Sequence, residues 1–140
     1  MPNRELLLKK LAEIVKQLEN LKKLVKLKQE ELFGNEAKFY FAERVMERLI
    51  GAAIDINMHL ASDLANETPA DYFQSFITMG KLGVMPGKFS KQIAPSTSLR
   101  NILAHEYQSL DTDKFHKGLK LALNQYRDYA KYVEKFLRKS

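Results

Sequence analysis

Residues 100–107 bring together three side chains suited to phosphate chemistry. Arg100 offers a permanently charged planar guanidinium, His105 an imidazole that titrates near neutrality, and Tyr107 a phenol that can act as nucleophile or hydrogen-bond donor. Cleavage of RNA by its own 2′-hydroxyl needs a base for the hydroxyl proton, an acid for the leaving 5′-oxygen, and positive charge for the pentacoordinate phosphorane. His105 can exchange the protons and Arg100 can hold the charge. A plainer reading has Arg100 paired with a surface carboxylate, His105 as a hydrogen-bonded histidine and Tyr107 packed in the core; spacing alone does not choose between the two.

Helical geometry limits how these groups can meet. On a straight helix, residues five apart point about 140° away from each other, whereas residues seven apart, such as Arg100 and Tyr107, share a face. One regular helix therefore cannot converge all three. Two arrangements resolve this: the break at Pro95-Ser96-Thr97-Ser98 places Arg100 in an irregular first turn, or a second copy of the chain brings its own motif into the same cleft. In a two-fold dimer, the two His105 side chains would divide the acid and base duties.

The elements that carry this segment read as helices throughout. From Arg4 to Leu32, Leu7, Leu11, Ile14, Leu18, Leu21, Val25 and Leu32 recur at spacings of three and four, broken only by Lys28. A coiled-coil seam has the same pattern, but a single core-facing helix is the reading adopted, closed at Phe33-Gly34-Asn35 by a left-handed residue. A second helix runs from about Lys38 to Leu64 with Phe41, Val45, Leu49, Ala52, Ile56 and Leu60 on its apolar face. There Gly51, Ala52 and Ala53 permit close approach of a neighbour, another copy included. Thr68-Pro69 signals the start of a shorter third helix lined by Tyr72, Phe73, Phe76 and Ile77. Gly80, Gly83, Pro86 and Gly87 punctuate the connection after it, and a fourth stretch with Phe89 and Ile93 is interrupted at Pro95 and resumes to Tyr107. After a cap among Asp111, Thr112 and Asp113, the last helix turns Phe115, Leu119, Ala122, Leu123, Tyr126, Ala130, Val133 and Leu137 inward. The expectation is one all-α domain over residues 1–140, an up-and-down bundle of four long helices and one short one.

Composition excludes several classes. There is no cysteine, which removes disulfides, thiolate metal sites and a cysteine nucleophile. No apolar run approaches the roughly 20 residues that cross a bilayer, and the N-terminus continues into amphipathic helix with no cleavage site, so a cytoplasmic protein without a membrane span is expected. The net charge of +6 and a pI near 9.4 suit a polyanionic partner, and suit equally a solvated basic surface.

Other candidates carry less. Asp55, His59 and Asp63, four apart, share a helix face and offer an incomplete metal set; no metal and no cofactor is expected, and Asp55 is kept as an accessory residue near the site. His116 reads as a surface histidine with no role. The lysines at 9, 10, 16, 22, 23, 26 and 28 and at 131, 135 and 139 read as wet faces that can also steer RNA, and Tyr126, Tyr129 and Tyr132 as core and boundary packing.

The segment RNILAHEY also matches the Arg-x4-His-x-Tyr signature of the HepT toxins, a branch of the HEPN ribonucleases. The stretch FYFAERVMERLIGAAIDINMHL resembles that family's second helix, DYFQSFITMGKLGVMP its third helix and glycine turn, and the tail from Asp111 its final helix. The resemblance implies a metal-independent endoribonuclease toxin of a type VII HEPN/MNT toxin–antitoxin system. Arg100 and His105 are then the catalytic pair in a homodimer cleft, cutting RNA, tRNA foremost, and Asn101 takes the polar position that follows the family's arginine. Tyr107 corresponds to the tyrosine that a partner MNT nucleotidyltransferase modifies with AMP. The resemblance also allows a non-catalytic companion of the nucleotidyltransferase.

Overall fold

The structure, a computed structural model, describes residues 3–100 and 112–139, and every regular element among them is helical. The first amphipathic stretch is two helices where one was expected: α1 (Arg4–Leu24) and α2 (Gln29–Phe33). The reason is Lys28, which falls on the apolar stripe. A continuous helix would bury its ammonium; the turn at residues 25–28 leaves Lys28 exposed, lets its N–H donate to Glu31 Oε1 (3.3 Å), and seats Leu32 fully in the core. His116 is no free surface histidine: half-buried, its Nε2 lies 2.9 Å from the Leu27 carbonyl oxygen of this turn.

The Gly34-Asn35 pair also works differently from the expected left-handed closure. Gly34 has φ −83°, and it is glycine because a Cβ would come within 2.5 Å of the Glu30 carbonyl oxygen. Asn35 is the N-cap of α3 (Glu36–Ala65), its side chain accepting from Lys38 N–H at 3.1 Å. The left-handed residue stands at the other end of α3, where Asn66 has φ 53° and the Glu67 N–H donates back to the Ala61 carbonyl (3.2 Å).

α3 is the central helix. Val45, Leu49, Ala52, Ile56 and Leu60 are buried as expected, but Phe41 is 44% exposed and Phe39 takes the core position, its ring 5.6–5.7 Å from those of Phe33 and Phe115. α1 runs antiparallel to α3, joined along the rim by Lys10–Asp55 (2.8 Å) and Arg48–Glu13 (3.2 Å). α4 (Tyr72–Lys81) begins later than the Thr68-Pro69 signal, because the Asp71 carboxylate accepts the Gln74 N–H at 2.7 Å and so makes the stronger cap. Phe76 is buried there and Ile77 partly so, while Tyr72 and Phe73 stay largely exposed. α5 (Gly87–Ile93) folds back on α4, a 3₁₀ turn follows at Ala94–Ser96, and residues 97–100 are helical again.

The last helix, α6 (Thr112–Lys139), holds Thr112 and Asp113 inside its first turn; Asp111 lies outside the described residues. It packs on α1 and lies parallel to α3, with Phe115 against Phe39 at one end and Tyr129 against Ala53 and Asn57 further along. The inward-facing set is as expected except that Tyr129 is fully buried and Ala130 only partly. One apolar cluster joins all of these helices. No helix among the described residues is long and apolar enough to cross a membrane.

Candidate active site

Proline cannot donate a backbone hydrogen bond, so Pro95 forces the chain to close its turns by other means. The Gln92 carbonyl, three residues before Pro95, accepts from Gln125 Nε2 of α6 (3.1 Å), and the hydroxyls that follow brace the turn: Thr97 Oγ1 donates to the Ala94 carbonyl (3.0 Å) and Ser98 Oγ to that of Pro95 (2.8 Å). Ser96 Oγ lies 2.7 Å from the Tyr126 hydroxyl in the core, which ties the break to α6. A second tie is Leu99, whose Cδ2 would be 3.1 Å from a Cβ at Gly118, so glycine at this point of α6 lets the leucine side chain pack closely.

Arg100 thus stands in the first helical turn after the proline break, while the residues it was expected to meet lie outside the described ones. It is half-buried, its Cζ lies 5.6 Å from the centroid of the Tyr72 ring, and it has no carboxylate partner among the described residues. The guanidinium rests on an aromatic face, an attraction of about 0.5–1 kcal/mol at an exposed site, which leaves its donors unclaimed by any carboxylate among the described residues.

The platform beneath it is held by buried hydrogen bonds that sequence reading missed. Tyr129 donates to Asn57 Oδ1 (2.6 Å), Asn57 Nδ2 to Ser75 Oγ (3.2 Å), and Ser75 Oγ to the backbone carbonyl of Tyr72 (2.7 Å). This chain runs from α6 through α3 to the first turn of α4. The one available signal was an asparagine in helical register with Ala53, Leu60 and Ala61 on the apolar face of α3, and Asn57 is indeed fully buried. Desolvation by burial raises the hydroxyls of both Tyr126 and Tyr129 above the ordinary tyrosine range, with the Ser96 hydrogen bond partly offsetting this at Tyr126 and the neighbouring Tyr126 adding to it at Tyr129. Both stay neutral at physiological pH, and Tyr129 serves as a structural donor.

Asn101, His105 and Tyr107 lie outside the described residues. Asp55 faces α1, where it holds Lys10 at 2.8 Å. His59 lines a separate cavity of about 290 Å³ with Met58, Ser62 and Glu67. Among the described residues, no three histidine, aspartate or glutamate side chains are grouped to hold a metal ion.

An all-helical fold of this connectivity is that of the HEPN toxins. It superposes with TM-score 0.83 on a tri-AMPylated Shewanella oneidensis HEPN toxin in complex with MNT antitoxin (18% identity, 96% of this chain and 99% of that one). With TM-score 0.80 it superposes on a toxin–antitoxin bound to AMP-PNP (18% identity, 95% and 99%). The chain belongs to the ribonuclease HepT-like family, which matches residues 14–133, and ribonuclease is its class of activity. It is similar to the tRNA nuclease HepT of Aphanizomenon flos-aquae, with 33% identity over 120 residues, covering 86% of this chain and 82% of that protein.

Proposed function

We propose that this chain is the RNA-cleaving toxin of a HEPN/MNT toxin–antitoxin module, a metal-independent endoribonuclease that cuts tRNA in the cytoplasm. The observation that carries the reading is Arg100, held on the Tyr72 ring directly after the proline break with its donors unclaimed by any described carboxylate, five residues before His105. Arg100 binds the non-bridging oxygens of the scissile phosphate. His105 takes the 2′-hydroxyl proton, the 2′-oxygen bonds to phosphorus, and the 5′-oxygen leaves with a proton from an imidazolium, giving a 2′,3′-cyclic phosphate and a 5′-hydroxyl. In a two-fold homodimer one His105 acts as base and the other as acid, with Asn101 as an accessory group; Asp55, held by Lys10 on the α1 side of α3, is left out of this set.

Tyr107 provides the control. Its phenolic oxygen attacks the α-phosphorus of ATP on a partner MNT nucleotidyltransferase, and pyrophosphate leaves. The resulting anionic phosphodiester stands two residues from His105 and competes with RNA for the same positive charge. The similarity to a tRNA nuclease and the fold shared with a toxin complexed by an MNT antitoxin support substrate and partner.

The test is incubation of the purified chain with tRNA in excess EDTA, beside Arg100→Ala and His105→Ala variants. Cleavage by the wild type alone is expected, and RNA left whole by every form would overturn the reading.

A further inference from the structure

At the far end of the molecule, the turn after α4 and the last two turns of α6 enclose an open cavity of about 380 Å³ lined by Gly83, Met85, Tyr132, Lys135, Phe136 and Lys139, among others. That volume lies within the range of small-molecule sites, about 300–1,000 Å³. Among the described residues, no acidic side chain lines it. Lys135 and Lys139 are exposed, sit one helical turn apart, and have no ion-pair partner among the described residues; the nearby Glu134 is taken by Arg138 at 3.6 Å. Like charges at this spacing repel, so an anion between them relieves a standing cost. Two full charges also outweigh the negative end of the helix dipole, about half a unit. The ring of half-buried Tyr132 is fixed by Phe89, 5.0 Å away between centroids, and its hydroxyl has no hydrogen-bond partner among the described residues.

We propose that this cavity is a second RNA-binding subsite, taking one nucleotide of the substrate well away from the cut: the base stacks on Tyr132 and Phe136 and a phosphate sits between Lys135 and Lys139. Aromatic faces beside paired cations are how single-stranded nucleic acid is held without sequence preference. The inference rests on the ribonuclease reading for the identity of the polyanion. Its distance from Arg100 gives it a definite use. Leu99 touches α6 at Gly118, and from Gly118 to Lys135 the helix advances about 25 Å at 1.5 Å per residue. A stacked strand at about 3.4 Å per nucleotide needs some seven nucleotides to span this. The subsite therefore grips long or folded RNA and is out of reach of a short oligonucleotide.

The experiment measures tRNA affinity by fluorescence anisotropy over a range of salt, in the Arg100→Ala background so that binding is read without cleavage. Adding Lys135→Ala with Lys139→Ala should weaken binding about tenfold and lower the salt slope by about one to two. Tyr132→Leu should weaken binding about fivefold and leave the slope unchanged. In the catalytically intact chain, the double lysine variant should raise KM for tRNA at constant kcat and cleave a five-nucleotide RNA at the wild-type rate. A wild type that cuts no RNA sinks the ribonuclease reading, while the anisotropy arm still decides the subsite. Unchanged affinity, or an equal loss on Lys22→Ala with Lys23→Ala as a charge-matched control on α1, overturns the subsite. Circular dichroism melts identify any variant whose loss is one of folding.

Discussion

Replacing Gly80 by alanine tests how tightly α5, and with it the arginine-bearing segment, is set against α4. In an exposed helix interior this change stabilises by about 1 kcal/mol, because alanine loses less backbone entropy. At Gly80 a Cβ would overlap Ser90 Oγ and lie 3.0 Å from both Ser90 Cβ and the Cα of Gly87. The hydroxyl can rotate away only by giving up its hydrogen bond to the Gly87 carbonyl (2.8 Å), and the two carbon contacts move only if α5 shifts as a body. Overpacking of this kind costs about 1–3 kcal/mol, and with the lost hydrogen bond at about 1 kcal/mol it exceeds the propensity gain. The net expectation is a loss of about 1–3 kcal/mol, or about 3–10 °C in Tm for a chain of this size. The assay is urea denaturation of Gly80→Ala, Ser90→Ala and the double variant. Removing Oγ takes away the shortest contact, so the double variant should be more stable than the sum of the single effects by about 1 kcal/mol. A Gly80→Ala protein as stable as the wild type, or strictly additive effects, would refute the close approach.

Three further outcomes follow from the site. Tyr129→Phe strips the donor from buried Asn57 Oδ1, and leaving that acceptor unpaired should cost about 1–3 kcal/mol in denaturant titration; an unchanged midpoint would show that the chain of hydrogen bonds does not hold Tyr72 in place. Tyr72→Leu should leave the Tm nearly unchanged and lower kcat/KM for RNA about two- to fivefold, the worth of one cation–π contact; wild-type kinetics would mean that Arg100 does not use the ring. The third concerns alkaline pH. Tyr126 and Tyr129 have folded-state pKa values raised by burial, so their stabilising contribution is fully present below the unfolded value near 10 and is lost as pH rises beyond it. Each adds a slope of about 1.4 kcal/mol per pH unit, and stability measured from pH 9 to 11.5 should fall about half as steeply from this source in Tyr126→Phe; identical slopes would refute the assignment.

Long apolar periodicity made α3 and α6 legible, since each buries a stripe of the residues the sequence singled out. What misled were places where one polar group outbids a pattern. Lys28 sat on the stripe and broke a helix that periodicity would have continued, and Asp71 capped α4 although Thr68-Pro69 was the more familiar signal. Phe39 and Phe41 are two residues apart on one helix, so their roles depended on where Phe33 and Phe115 would arrive, which is information from distant parts of the chain. The proline break before Arg100 was readable because a missing N–H has only one local meaning. The Tyr129–Asn57–Ser75 relay was not readable, because its members come from three helices and none forms a motif with its sequence neighbours.

That relay bears on why the arginine is placed where it is. A guanidinium left free of carboxylates keeps its donors for phosphate but is poorly held, since ion pairs are the usual means of fixing such a side chain. The fold substitutes an aromatic face, which attracts the charge without occupying its hydrogen bonds. An exposed ring would itself be loose, so its backbone is anchored by Ser75 and, through Asn57, to a tyrosine of α6. The segment carrying Arg100 is tied to the same helix by Ser96 on Tyr126 and by Leu99 on Gly118. Platform and arginine thus share α6 as a common reference. Gly118→Ala, whose Cβ would press on Leu99 at 3.1 Å, should shift the arginine-bearing segment against this reference by a few tenths of an ångström and weaken RNA cleavage beyond what its stability loss explains; cleavage that falls only in step with stability would show that the Leu99 contact does not position Arg100.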